Sequence, residues 1–191
     1  MEGAKLIAYA RQAIGAELGL NAPVDIRALK AQDPELAKER ATFVTLTQEG
    51  RLRGCIGSVV PHRPLIDDLV ANAKAAAFED PRFAPLKPEE FEKTAVEVSL
   101  LSVPQPLAYT DVEDLKRKIV PRKDGVILRL GASQATFLPQ VWEELNDFEL
   151  FFAHLCLKAG LPQNCLAYRP QIYTYRVEKF GECEKGGCGL S

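Results

Sequence analysis

Histidine is scarce in this chain: His62 and His154 are the only two, which excludes a metal centre built from several imidazoles. An excess of either charge is also missing. The 24 Lys and Arg against 26 Asp and Glu leave a net charge of -2. That tells against a general nucleic-acid binder, which must neutralise phosphates with a basic surface. No apolar run approaches the roughly 20 residues of a membrane span. The opening Met1-Glu2-Gly3-Ala4-Lys5 lacks the basic-then-apolar pattern of a signal peptide, so a cytoplasmic protein is expected. Phosphate loops and dinucleotide fingerprints are absent, because Gly54-Cys55-Ile56-Gly57 has neither their spacing nor the lysine. No serine sits in a nucleophile elbow, and no pair of histidines or acids has metal-ligand spacing. What remains is ordinary globular composition, 47% hydrophobic and 26% charged over 191 residues.

Cysteine is the exception to this plainness. Five are present, an odd number in a chain without an export pattern, which favours reduced thiols over a disulfide framework. Cys156 reads as a small core residue, and Cys165 has no evident partner. His154, beside Phe151, Phe152 and Leu155, reads as a core or boundary residue. Cys183 and Cys188 fall in a glycine-rich tail over 181–191, and two thiols fall short of the four ligands of a structural zinc.

Periodicity sets out the elements. Leu6, Ile7, Ala10, Ile14 and Leu18 recur at helical spacing over 4–20. Residues 24–40 read as a long connection with one helical turn. A hairpin follows, with 41–47 and 52–56 joined through Gln48-Glu49-Gly50-Arg51. Leu65, Ile66, Leu69, Val70, Ala73 and Ala77 mark a helix to about Phe78, and Ala75-Ala76-Ala77 is small enough for a close neighbour. Pro81, Pro85 and Pro88 forbid its continuation and leave Asp80 and Arg82 on a stiff loop. Strands are expected over 94–101 and 125–130, the latter turning through 131–134 into 135–138, with a last one over 171–180. Helices are expected over 111–119 and 147–158. Hairpins without regular βαβ repeats indicate α+β around a mainly antiparallel sheet. The whole reads as a single domain over 1–180.

Leu52-Arg53-Gly54-Cys55-Ile56-Gly57-Ser58 holds the principal candidate site. An adjacent guanidinium favours the thiolate, the reactive form of cysteine, and flanking glycines permit close backbone approach. The plainer alternative is a strand with a small buried thiol, its glycines serving as bulge or packing points. His62, seven residues on, is a candidate base or a plain surface histidine.

Together with Ala75–Leu86, Val96–Leu101 and Ala135–Trp142, the Leu52–Gly57 segment resembles the AMMECR1 domain family, over residues 4 to 180. Bacterial and archaeal members are called protein A of the AmmeMemoRadiSam system. The resemblance implies an α+β fold with a larger part and a small lobe, and a cleft near the cysteine segment. It also implies Memo-like and radical-SAM-like partner proteins. It assigns neither reaction nor cofactor, and the cysteine-bearing tail is no part of its pattern.

Two functions are open. In the first, the protein is a thiol-dependent enzyme with Cys55 as nucleophile or redox thiol and His62 and Asp80 moving or directing protons. Arg53 and Arg82 would bind a small anionic substrate, with Gly54, Gly57 and Ser58 lining the site and backbone N–H groups holding an oxyanion. In the second, the same pocket holds a small anion or a protein partner without catalysis.

Overall fold

Residues 3–182 are described by the structure, a computed structural model, and they fall into two compact units. The larger comprises the described part of Met1–Leu101 and Glu178–Ser191, and the smaller is Ser102–Val177. Each has its own four-stranded sheet and its own core. The architecture is α+β, as the interspersed hairpins and helices predict.

In the larger unit, β1 (Ala41–Gln48) and β2 (Arg51–Gly57) form the expected hairpin, closed by Glu49 and Gly50 alone, both with φ > 0. Such a two-residue turn matches the natural twist of the strands. β1 also pairs antiparallel with β3 (Ala95–Leu101), and the sheet order is β2-β1-β3-β8, where β8 is Val177–Gly181. Val44, Leu46, Val96 and Val98 alternate onto one face and are buried. Against them pack α1 (Gly3–Glu17) through Leu6, Ala10 and Ile14, and α3 (Leu65–Phe78) through Leu69, Ala73 and Ala76. The connection over 24–40 is more ordered than its polarity suggests. It holds the helix α2 (Ile26–Gln32), capped by the Asp25 side chain, and a 3₁₀ turn Pro34–Ala37 begun by Asp33.

A buried polar knot closes one end of this sheet. The Asp68 carboxylate, fully buried on α3, accepts the backbone N–H and hydroxyl of Thr42 at 2.8 and 2.7 Å. It also accepts from Ser58 Oγ at 2.8 Å, Arg63 Nε at 2.8 Å and Asn72 Nδ2 at 2.9 Å. A buried carboxylate persists only when so paired.

The smaller unit orders its strands β4-β7-β5-β6. β4 is Gln105–Pro106, β5 is Gly125–Leu130, β6 is Ser133–Phe137 and β7 is Gln171–Tyr175. The β5–β6 turn is tighter than the four residues expected, with Gly131 and Ala132 only. α5 (Val112–Lys118) is capped by Asp111, and α6 (Phe148–Lys158) by Asp147. Trp142 stacks on Phe151 at 3.6 Å between ring centres and donates its indole N–H to the Asp124 carbonyl at 3.0 Å.

Three expectations need correction. The strand expected over 171–180 is two: β7 joins the smaller sheet and β8 (Val177–Gly181) the larger. Between them Arg176 turns its N–H to Ser102 Oγ at 2.8 Å and its guanidinium to Asp124 at 2.7 Å. His154 is exposed, because the apolar stripe of α6 runs through Phe148, Phe151, Phe152 and Leu155 and leaves it on the outer side. Cys156 and Cys165, expected as reduced thiols, form a disulfide with Cα atoms 5.8 Å apart. The chain reverses after Gly160, and the 3₁₀ turn Cys165–Tyr168 returns the second thiol to the end of α6. Cys183 and Cys188 lie outside the described residues.

The disulfide closes a short loop, for which chain entropy predicts about 2–3 kcal/mol of stabilisation. Intact-mass measurement should find the folded chain two hydrogens lighter than the fully reduced chain. Cys156→Ala with Cys165→Ala should lower urea resistance in the smaller unit by about that amount.

Candidate functional site

The hairpin register decides where Cys55 points. Gln48 and Thr47 oppose Arg51 and Leu52, but Leu46 opposes Gly54 and Thr45 opposes Cys55. Arg53 is therefore an extra residue, a β-bulge, of the kind that re-aims side chains. Beyond it, Gly54 faces the helices with Leu46, and Cys55 faces the opposite side of the sheet with Thr45. Cys55 is half-buried and is a free thiol. Its Sγ lies 3.3 Å from Thr45 Oγ1.

β2 is an edge strand, and its outward donor is not left to water. The Cys55 N–H donates to Asp80 Oδ2 at 2.9 Å. Asp80 is buried, and Arg82 grips it twice, Nε to Oδ1 at 3.0 Å and Nη2 to Oδ2 at 2.8 Å. The Arg82 N–H adds a third bond to Oδ1 at 3.1 Å. The guanidinium first, and the Cys55 N–H second, hold the Asp80 carboxyl well below the usual carboxylate range. Asp80 is thus an ionised acceptor at neutral pH, suited to anchoring the strand and not to delivering a proton.

Arg53 has its own carboxylate. Its Nε and Nη2 donate to the two oxygens of Glu90, on the short helix α4 (Pro88–Phe91), at 3.0 and 3.1 Å. This pairing, with the Lys87 N–H at 2.8 Å, lowers the Glu90 carboxyl to about 2. The remaining nitrogen, Nη1, is buried and has no hydrogen-bond partner among the described residues. Phe83 lies between the two arginines, its ring centre 6.0 Å from the Arg53 guanidinium and 5.5 Å from that of Arg82. Arg82 is the accessible one, its side chain 54% exposed against 13% for Arg53.

The structure therefore joins Cys55 to Asp80 and Asp80 to Arg82, and Phe83 lies between Arg82 and Arg53. It does not bring in the others. His62 is exposed, and its contact is Nδ1 to the Val60 carbonyl at 3.2 Å. Ser58 spends its hydroxyl on Asp68. Gly54 and Gly57 have steric reasons to be glycine: a Cβ at 54 would overlap the Ala76 carbonyl of α3, and one at 57 the Phe43 ring. Thr45, Phe83 and Glu90 belong to the site and carry no local sequence signal of it. Among the described residues no group of three or more His, Cys, Asp or Glu could hold a metal, and no helix is long and apolar enough to cross a membrane.

A groove of about 1180 Å³ opens elsewhere in the larger unit, lined by residues of α1, α4 and the turn before β3 that include Arg11, Gln12, Phe91 and Thr94. Arg11 is committed there to Glu182 at 2.9 Å and to the carbonyls of Thr94 and Phe91 at 2.8 and 3.3 Å.

An α+β protein with a half-buried thiol on the face of an antiparallel hairpin opposite its helices is the class these features define. The AMMECR1 family model matches residues 7–180, and the chain belongs to that family. It is 41% identical over 183 residues to a protein of Methanothermobacter thermautotrophicus, covering 93% of this chain and 91% of that one. It is 38% identical over 187 residues to protein PH0010 of Pyrococcus horikoshii, covering 94% and 89%. The crystal structure of uncharacterized protein PH0010 superposes with a TM-score of 0.78 at 36% identity, covering 97% of this chain and 93% of that one. None of these relatives carries a stated activity in its name.

Two measurements test the site's construction. Gly54→Ala should cost about 1–3 kcal/mol of stability in denaturant titration, because the helix backbone must retreat from the new methyl. Glu90 has a lowered folded-state pKa, so its pairing stabilises the fold fully above about 4.5 and is lost as pH falls towards about 2. Glu90→Gln should therefore lose about 1 kcal/mol at neutral pH and show a flatter stability slope between those limits.

Proposed function

We propose that the protein is a thiol-dependent enzyme acting on a small anionic substrate, with Cys55 as its nucleophile. The observation that carries this reading is the mounting of the thiol. Cys55 is free and half-exposed, its backbone pinned by an Asp80–Arg82 pair and its sulfur beside a hydroxyl. Arg82 supplies the accessible cation for an anionic group, and Phe83 an apolar wall beside it. In this reading the protein works in the cytoplasm alongside Memo-like and radical-SAM-like proteins, as the family resemblance implies. The smaller unit and the larger together make the single functional domain over 1–180.

A second reading has its own support. Among the described residues no ionisable base is within hydrogen-bond contact of the Cys55 sulfur, and each guanidinium already has a carboxylate. A non-catalytic module that holds a small anion or a partner protein would need nothing more.

Alkylation separates the two. Iodoacetate and iodoacetamide differ in charge, and glutathione gives their ratio for an unassisted thiol. In the folded protein, Cys55 should favour iodoacetate by about three- to tenfold relative to glutathione, and Arg82→Ala should erase the preference. A Cys55 inert until unfolding would sink the enzyme. A partner complex that survives Cys55→Ser would then establish the binding module.

A further inference from the structure

We propose that the surface joining α5 to β5 in the smaller unit is a docking site for an acidic segment of a partner protein. It lies in a different unit from Cys55 and does not depend on the thiol. A local excess of charge, hidden by the near-neutral balance of the whole chain, points to it. Lys116, Arg117, Lys118, Arg122 and Lys123 place five cations within eight residues, and all five are exposed.

The first three have local reasons to be there. They end α5, where the helix dipole favours positive charge. Lys116 pairs with Glu149 at 2.6 Å, while Lys118 and Arg117 share Asp114 at 2.9 and 3.5 Å. Arg122 and Lys123 have no such account, for neither side chain has a hydrogen bond or ion pair among the described residues. Asp124, the carboxylate next to them in the chain, is buried and held by the Arg176 guanidinium at 2.7 Å. Five cations against the two carboxylates of Glu149 and Asp114 leave three positive charges without an ion-pair partner of their own.

The loop that carries Arg122 and Lys123 is firmly built. The Asp124 carboxylate accepts the Val120 N–H at 2.7 Å, and the Val120 carbonyl accepts from the Lys123 and Asp124 N–H groups at 3.2 and 3.0 Å. The buried Trp142 indole holds the Asp124 carbonyl. Within this turn Arg122 sits at φ 67°, a left-handed position that glycine adopts freely and an L-residue only at a cost. An unpaired arginine there breaks the local preference of the chain, as residues in contact with a ligand or partner commonly do.

The charge selects an anion, and the surroundings select a protein segment over a nucleic acid. The cationic stretch is short and bordered by Asp111, Glu113 and Glu149, all exposed, which would repel a phosphate backbone running past it. Val120, 39% exposed between the two basic groups, offers an apolar contact to a peptide side chain. Exposed cations so placed speed the encounter with an acidic partner and fix its register.

The test is fluorescence anisotropy of a labelled peptide of about eight glutamates, titrated with the full chain at low salt. Arg122→Glu with Lys123→Glu should weaken binding by about tenfold. Arg122→Gly, which removes one charge and suits the left-handed turn, should weaken it by about threefold with the fold intact. Lys5→Glu with Arg27→Glu makes the same change in net charge on exposed residues of the larger unit, and should leave binding within about twofold of wild type. No binding of the peptide, or equal losses in the two double variants, would overturn the proposal. So would a single-stranded oligonucleotide of equal charge that binds more tightly than the peptide through Arg122 and Lys123, since the surface would then be a nucleic-acid site.

Discussion

One extra residue in β2 decides which way the candidate site faces. Because Arg53 bulges out of the ladder, the strand beyond it is shifted by one, and a shift of one exchanges the faces of every following side chain. Without the bulge, Cys55 would oppose Val44 on the helix-backed face and become a packing residue, and Arg53 would oppose buried Leu46. With it, the guanidinium is thrown outward to Glu90, Gly54 takes the core-facing position, and the thiol emerges beside Thr45. The same event thus exposes the sulfur and puts the residue without a side chain under α3.

That second consequence matters as much as the first. α3 approaches β2 so closely at Gly54 that any Cβ would meet the Ala76 carbonyl, and the helix ends only two residues later. The proline-rich loop that follows starts at the edge of the sheet, which is why the Asp80 carboxylate reaches the N–H of Cys55. Leu86 N–H bonds back to the Ala77 carbonyl at 2.8 Å and closes the loop over the helix end. An edge strand normally needs cover for its unpaired donors, and here the cover is an ion pair placed beside the thiol.

Much of this was legible, for identifiable reasons. The alternation in 41–47 and 94–101 and the stripe from Leu65 to Ala77 are strong because each element has one face in the core. Three prolines after Phe78 announced a stiff loop, and Asp80 and Arg82 do meet on it. A bulge was legible only as one of the roles open to the glycines beside Cys55; that Arg53 is the extra residue was not, since nothing in Leu52-Arg53-Gly54 marks it, and with it went Thr45. Glu90 is 37 residues from Arg53 along the chain and had only its charge to recommend it. The Cys156–Cys165 bond depends on a reversal after Gly160 that spacing does not display, while the odd cysteine count pointed the other way. The division of 171–180 was hidden because the alternation continues through Arg176 as though the strand did.

The glycines beside Cys55 have a packing explanation. Gly54 and Gly57 flank the thiol and suggest a backbone open to a ligand, yet each is explained by a neighbour it must not strike, Ala76 and Phe43. The Cys55 N–H, the donor an oxyanion would most naturally use, is already given to Asp80. The polar hydrogens that face the sulfur's side of the sheet therefore come from side chains, the Thr45 hydroxyl and the outer part of Arg82. The Cys55 N–H is therefore not free for the oxyanion role that the flanking glycines suggest.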